Sequence, residues 1–88
     1  MELYQLRTFA AAAEARSFSR AARALSLSQS AVSRQIEALE AVFGLDLFTR
    51  GGKSAHLTEA GERLLPYAQD ILQTADQAQE ALRVSRAA

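Results

Sequence analysis

Apolar residues recur every three or four positions over most of the chain, which is the spacing of one face of an α-helix. The first such run covers residues 2–16, and the second covers residues 18–25. The third run lies between Ser28 and Gly44, and its large apolar positions are Val32, Ile36, Leu39 and Phe43. The pattern therefore predicts three helices in the first half of the chain, and it turns those four side chains of the third helix toward the core.

The boundaries of the second and third helices carry capping residues. Ser17 and Ser28 can each accept a hydrogen bond from a free N–H of the following turn, and Gly44 can adopt the left-handed conformation that ends a helix. Only residues 26–28 separate the two helices, and so short a link makes them cross. A helix-turn-helix over about residues 18–37 is therefore predicted. Its second helix turns outward the small or hydrogen-bonding residues Gln29, Ser30, Ser33, Arg34 and Glu37.

The segment after the third helix is typical of a short β-hairpin. Two short apolar stretches, residues 45–48 and 55–57, flank a polar stretch with two glycines, and they predict two very short strands, that is, a wing. Arg50 and Lys53 lie beside the glycines, where the backbone can approach another molecule closely. An ordinary solvated hairpin is the alternative interpretation.

A long last helix is predicted from Thr58, a capping residue, nearly to Arg86, on the order of 40 Å at 1.5 Å per residue. Its apolar positions alternate at four and three residues, as in a coiled coil, and they are Leu64, Ala68, Ile71, Ala75, Ala78 and Leu82. This seam predicts a homodimer through the last helix, although packing on its own domain is plausible for Leu64 and Leu65. Pro66 lies inside the helix and predicts a kink or a break into two segments.

Together these elements predict a mainly α fold. It consists of a winged helix-turn-helix domain at residues 1–57, with three helices and a short two-stranded wing, and of a linker or dimerisation helix at residues 58–88. The chain has no cysteine and a single histidine, His56, so neither a disulfide framework nor a zinc site is expected, and no cofactor is implied. No secretory signal pattern or long apolar stretch is present, so a soluble cytoplasmic protein is expected.

The charges of the chain are segregated although the net charge is zero. Neutrality argues against a nucleic-acid partner, because DNA-binding domains usually carry an excess of basic residues. However, the segment between Glu14 and Glu37 contains no acidic residue, and its basic residues are Arg16, Arg20, Arg23 and Arg34. Charge alone leaves a phosphate-binding surface and a merely solvated face equally open.

The string SFSRAARALSLSQSAVSRQIEALEAVFGLDLFTR, residues 17–50, resembles the signature segment of LysR-type transcriptional regulators. LTEAG at residues 57–61 resembles that family's junction between wing and linker helix, and the resemblance covers almost the whole chain. It implies the amino-terminal DNA-binding domain of a bacterial regulator, which binds an imperfect inverted repeat in double-stranded DNA as a homodimer. It also implies a tetrameric full-length protein and an effector-sensing domain that would follow this chain.

The resemblance also implies site residues. The family's base-contacting positions fall on Gln29, Ser30, Ser33 and Arg34. Arginine can pair with guanine, glutamine with adenine, and serine with either a base or a phosphate. Contacts to the DNA backbone are expected from Arg20, Ser28, Arg50 and Lys53. Arg34 could instead pair with Glu37. Many relatives have proline where this chain has Ser30, which leaves the start of the helix less rigid here, and His56 is assigned no role.

Two other classes of function compete with DNA binding. An enzyme lacks its parts here, because the sequence offers no paired base and nucleophile around the single histidine, no phosphate-binding glycine loop and no cluster of metal ligands. A helical protein-interaction module is the stronger alternative, because neutral net charge suits it. Salt dependence separates the two, since polyelectrolyte binding weakens steeply with salt whereas apolar docking does not.

Overall fold

The computed structural model describes residues 1–49, 51 and 54–87, with the side chain of residue 87 excepted. The described part contains four helices, which are α1 (Leu3–Ala15), α2 (Phe18–Leu25), α3 (Gln29–Phe43) and α4 (Glu59–Ala87). The predicted wing residues Arg50 and Lys53 lie outside the described residues. No helix in the described part is both long and apolar enough to cross a membrane.

The capping residues identified in the sequence lie at the helix boundaries, as predicted. Ser17 Oγ accepts a hydrogen bond from the N–H of Arg20, and Ser28 Oγ accepts one from the N–H of Ala31, each at 3.1 Å. Thr58 Oγ1 accepts the N–H of Gly61 at 3.1 Å and so begins α4. Gly44 ends α3 with a φ of 67°. Such caps satisfy main-chain groups that a helix end otherwise leaves unpaired, so the helix boundaries follow from local sequence.

The core lies where α1, α2 and α3 meet. Leu6 and Phe9 of α1 are buried against Val32, Ile36 and Leu39 of α3. The ring of Phe48, just beyond α3, lies 5.6 Å from that of Phe9 and 5.1 Å from that of Phe18, in tilted and edge-on geometries. Aromatic pairs of this kind contribute about 0.5–1.5 kcal/mol each beyond the area they bury. Phe48 thereby joins the wing segment to the helical core.

The prediction that Phe43 faces the core is wrong. Phe43 is 42% exposed, whereas Glu40, one turn earlier, is only 6% exposed. The chain turns at Gly44 and returns past Glu40, whose Oε2 accepts the N–H of Leu47 at 2.7 Å and that of Phe48 at 3.4 Å. The charged residue is therefore turned inward by its hydrogen bonds, and the aromatic residue at the end of α3 remains on the surface.

The predicted two-stranded wing is reduced, in the described residues, to a single antiparallel bridge between Phe48 and Leu57. The N–H of Thr49 donates to His56 O at 2.8 Å, and that of Thr58 donates to Leu47 O at 3.0 Å. Leu45, which was predicted in the first strand, is exposed and lies before the bridge. The hairpin is tethered by these two hydrogen bonds and by the burial of Leu47 and Phe48.

Helix α4 runs without a break through Pro66, so of the two predicted alternatives the break into two segments is excluded, and the kink stays a prediction. Proline removes one main-chain hydrogen bond, and the carbonyl that it leaves without a helical partner belongs to the exposed residue Glu62. Leu65 and Ala68, on either side of Pro66, both pack against the core. This packing stabilises the helix on both sides of the proline.

The first half of α4 packs along α1, which corrects the predicted seam. Ala68 is fully buried within the chain, so it has no surface left for a partner. An ion pair joins Arg7 Nη2 to Asp76 Oδ1 at 2.8 Å, and Gln69 Nε2 donates to Glu14 Oε2 at 3.2 Å. From Asp76 to Arg86 every residue is exposed. Residues 77–86 of α4 are therefore not buried against the domain.

Candidate nucleic-acid interface

The amino-terminal end of α3 presents the predicted base-contacting residues on one surface. Gln29, Ser30 and Arg34 are exposed and Ser33 is half-buried, whereas Val32 and Ile36 on the opposite face are buried in the core. Residues three and four positions apart on a helix are neighbours, so Gln29 lies beside Ser33, and Ser30 beside Ser33 and Arg34, in one patch over the first two turns. A patch on a helix end that is free of its own domain can enter a groove.

Ser28 contributes through its cap. Its hydroxyl lies 3.1 Å from the N–H of Ala31 and 3.1 Å from the hydroxyl of Ser30. The cap fixes the direction in which α3 leaves the turn. The contact between the two hydroxyls also orients the side chain of Ser30, the position at which many relatives have proline. The exposed end of α3 also carries the positive end of the helix dipole, which favours a negatively charged neighbour.

The arginines divide into a paired and an unpaired group. In the described part of the chain, ion pairs engage Arg7 with Asp76, Arg63 with Glu59, and Arg83 with Glu80. The glutamate Glu80 raises the pKa of Arg83 by a side-chain hydrogen bond. The arginines with no ion pair to another described residue are Arg86 near the end of α4 and, in the first half of the chain, Arg16, Arg20, Arg23 and Arg34, and all five are exposed.

The guanidinium of Arg34 has no ion pair in the described part of the structure. The pair between Arg34 and Glu37 is not formed in the described part of the structure, so the guanidinium of Arg34 keeps its five N–H donors available. Three of the acidic residues that balance the net charge, Glu59, Asp76 and Glu80, lie on α4 and pair with arginines of α1 and α4. Because the helix-turn-helix is not neutralised by these carboxylates, it can attract an anion although the whole chain is neutral.

The start of α3 and the wing line one hollow. A cavity of about 260 Å³ is lined by Ser17 and Phe18 at the start of α2, by Gln29, and by the wing residues Thr49, Gly51 and Ser54. The structure thus brings a predicted base-contacting residue close to the described part of the wing, although they are twenty residues apart in sequence. An extended ligand lying along α3 would reach the wing as well.

Three further residues beside this surface, Tyr4, Thr8 and Gln35, were not predicted from the sequence. A second groove, of about 250 Å³, places Tyr4 of α1 beside Arg34 and Gln35 of α3. The hydroxyl of Thr8, which is buried, donates a hydrogen bond to Oε1 of Gln35 and so ties α1 to the flank of α3. In the sequence, Thr8 and Gln35 are only polar residues on otherwise apolar helix faces. That pattern does not show which helices will pack together.

Comparison with known proteins identifies the family. The family model described as bacterial regulatory helix-turn-helix protein, lysR family, matches residues 3–62. The chain belongs to the LysR family. The regulator PecT of Dickeya dadantii is 45% identical over 85 residues, which cover 97% of this chain and 27% of PecT. HdfR of Yersinia enterocolitica is 46% identical over 74 residues, which cover 84% of this chain and 25% of HdfR.

Solved structures of LysR-family domains share the fold. The DNA-binding domain of BenM, in a complex with catB site 1 DNA, matches with a TM-score of 0.94 and 35% identity, over all of this chain and 98% of that one. The DNA-binding domain of CbnR, also in a DNA complex, matches with a TM-score of 0.89 and 38% identity, over 98% of this chain and 99% of that one. The chain spans about a quarter of its curated relatives and corresponds to their DNA-binding domain.

The predictions of family, fold class and general function are therefore confirmed: this is the DNA-binding domain of a LysR-type regulator and not an enzyme. The predictions for individual residues remain predictions. Of the expected backbone contacts, Arg20 and Ser28 are exposed on the helix-turn-helix. Of the predicted dimer seam, Ala78 and Leu82 are exposed and Ala75 is half-buried.

Proposed function

We propose that this LysR-family DNA-binding domain binds an imperfect inverted repeat in double-stranded DNA as a homodimer, with the amino-terminal end of α3 in the major groove. The observation that carries the proposal is the exposed patch formed by Gln29, Ser30, Ser33 and Arg34, with the guanidinium of Arg34 free of any described carboxylate. The similar BenM and CbnR domains were both solved in complexes with DNA, which supports it.

Each residue of the patch has a chemical role in this proposal. Arg34 donates two hydrogen bonds to O6 and N7 of a guanine, and Gln29 pairs with an adenine. Ser30 and Ser33 contact a base edge or a phosphate. Backbone contacts come from Arg20 and Ser28 on the helix-turn-helix and from Arg50 and Lys53 at the wing. Phosphate contacts of this kind supply affinity and register, and the base contacts supply sequence preference.

The partner proposed for α4 is a second copy of the chain. Large apolar side chains on one edge of α4 are exposed, namely those of Tyr67, Ile71 and Leu82. Phe43 and Leu45, at the end of α3, continue this edge and line a hollow of about 450 Å³ together with Leu64 and Tyr67. We propose this exposed edge as the dimer interface in place of the seam through the buried Ala68. It also includes Phe43 and Leu45 of the helix-turn-helix domain. Burial of this surface in a homodimer would stabilise the pair by about 25 cal/mol per Å².

The proposal also covers the assembly, the location and the half-site spacing of the full-length protein. The full-length protein would be a tetramer, and an effector-sensing domain would follow α4. A regulator that binds the bacterial chromosome acts in the cytoplasm. Two copies of α3 must reach successive major-groove faces about 34 Å apart, or a multiple of that distance, so the paired α4 helices would set the spacing between half-sites.

Selection from a pool of random duplexes, followed by titration of the selected and a scrambled duplex at several salt concentrations, tests the proposal. The selected site is expected to be palindromic and to bind at least about 10³-fold more tightly than the scrambled duplex. Affinity for both should fall steeply with salt. Binding that is independent of salt, or a selection that recovers no common sequence, would instead favour the protein-interaction module.

A further inference from the structure

The main chain of Leu47 is held from two sides, by α3 and by the start of α4. Its N–H donates to Oε2 of Glu40 on α3 at 2.7 Å. Its carbonyl accepts the N–H of Thr58 at 3.0 Å, at the start of α4. Gly61 of α4 approaches the same carbonyl so closely that a Cβ there would lie 2.2 Å from the oxygen. The entry to the wing is therefore fixed on one side by α3 and on the other by α4.

Glu40 makes the contact on the α3 side with a buried carboxylate. The same oxygen that binds Leu47 also lies 3.4 Å from the N–H of Phe48, the residue that pairs with Leu57. Hydrogen bonds to an ionised acceptor are about twice as strong as neutral ones, and a buried carboxylate is retained only where such bonds satisfy it. Glu40 lies six residues after Arg34 on the same rigid helix, or about 9 Å along its axis.

We propose that Glu40 is a positioning residue for DNA binding, which fixes the wing at a set distance from the base-contacting end of α3. The inference rests on the proposed function. Arg34 and Glu40 belong to one helix. The hydrogen bonds of Glu40 therefore attach the wing directly to the helix that is proposed to enter the major groove. The wing then reaches the sugar-phosphate backbone in the register that α3 sets, because Glu40 holds the main chain of Leu47 and Phe48.

The remaining contacts of the wing show why loss of this hold should displace the wing without unfolding it. Thr58 Oγ1 donates to Asp46 O at 2.6 Å, which ties the entry of the wing to α4. The N–H of Ala55 donates to Arg16 O at 3.0 Å, which ties its exit to the end of α1. Neither contact involves α3. A chain without the Glu40 carboxylate therefore keeps a tethered wing, with Phe48 still packed on Phe9 and Phe18, but it loses the hydrogen bonds that hold the main chain of Leu47 and Phe48 to α3.

The sign of the effect separates positioning from simple electrostatics. Glu40→Gln adds one positive unit of net charge, so electrostatics alone predicts tighter DNA binding. Loss of positioning predicts weaker binding to the selected and to the scrambled duplex alike, because phosphate contacts carry no sequence information. Glu62→Gln is the matched control, since Glu62 is exposed on α4 and the substitution changes the charge equally.

The decisive measurement is the affinity of the wild type and both variants at 50 and 200 mM salt, after thermal unfolding has verified that each is folded. One phosphate contact contributes about 0.9 to the slope of log K against log salt. For a fourfold rise in salt, the wild type should therefore lose about 3.5-fold more affinity than Glu40→Gln. Glu62→Gln should keep the wild-type slope. A wild-type slope in Glu40→Gln, or binding as tight as that of Glu62→Gln, would overturn the inference.

Glu40→Asp provides an independent variant, which keeps the charge but shortens the side chain by one methylene. The inference predicts the same loss of slope as for Glu40→Gln, and faster hydrogen exchange at the amide of Leu47 in both. An unchanged slope in Glu40→Asp together with faster exchange would overturn it, because the hold would then be lost without consequence for DNA. A wild-type chain that binds no DNA at all would instead refute the proposed function.

Discussion

Replacing Gly61 with alanine tests the packing of α4 against the wing. The added methyl would lie 2.2 Å from Leu47 O and 2.8 Å from Cδ2 of Leu57. The side chain of Leu57 can rotate, but the carbonyl of Leu47 is fixed by Thr58, so α4 must move away. Overpacking of this kind costs about 1–3 kcal/mol, whereas alanine in place of glycine gains up to about 1 kcal/mol of helix propensity. A close contact with backbone favours the upper part of the range.

We therefore expect Gly61→Ala to reduce the free energy of unfolding by about 1–2 kcal/mol. For a domain of this size each kcal/mol corresponds to a shift in Tm of roughly 4–8 °C. Urea unfolding followed by circular dichroism measures the first quantity, and a thermal scan at the same protein concentration measures the second. Thr74→Ala, at an exposed position of the same helix, controls for helix propensity. Equal or greater stability of Gly61→Ala would refute the close packing of α4 on the wing.

Three further predictions concern DNA binding and assembly. Arg34→Ala should weaken binding to the selected site by roughly 1–3 kcal/mol and relax the preference at one base pair, and equal losses on selected and scrambled duplexes would refute base contact by Arg34. Neutralising Arg50 or Lys53 should lower affinity for all sequences and reduce the salt slope by about one ion each, and unchanged slopes would remove the wing from the interface. Ile71→Asp should leave a folded monomer that binds single half-sites but has lost tight binding to the full repeat, because an unpaired charge in an apolar interface costs several kcal/mol. Sedimentation with and without the duplex checks this, and a variant that dimerises as the wild type does would contradict it.

Local signals were sufficient for the helix boundaries. Ser17, Ser28 and Thr58 accept the hydrogen bonds expected of caps, and Gly44 adopts the expected left-handed conformation. Each of these features depends on a few neighbouring residues, so the sequence alone contains the needed information. The short link between α2 and α3 is local in the same sense, and it was sufficient to predict the helix-turn-helix.

Features that depend on the return path of the chain could not be predicted. The spacing of apolar residues placed Phe43 inside, but the chain after Gly44 passes Glu40 and leaves Phe43 on the surface. Ala68 fits a dimer seam by its spacing, yet it is buried because α4 packs on its own domain. Periodicity shows that a face is covered, but it does not show by which element. The ion pairs of the arginines likewise could not be predicted from the sequence, because Arg7 and Asp76 are 69 positions apart in the chain.

The central claim is that the amino-terminal end of α3 contacts bases in the major groove, and methylation interference on the selected duplex tests it most directly. Methylation of guanine N7 blocks the atom with which Arg34 is proposed to pair. We expect methylation of one guanine in each half-site to prevent binding of the wild type, and binding of Arg34→Ala to be insensitive at that guanine. No interference at any guanine of the site, or the same pattern in Arg34→Ala, would contradict the account.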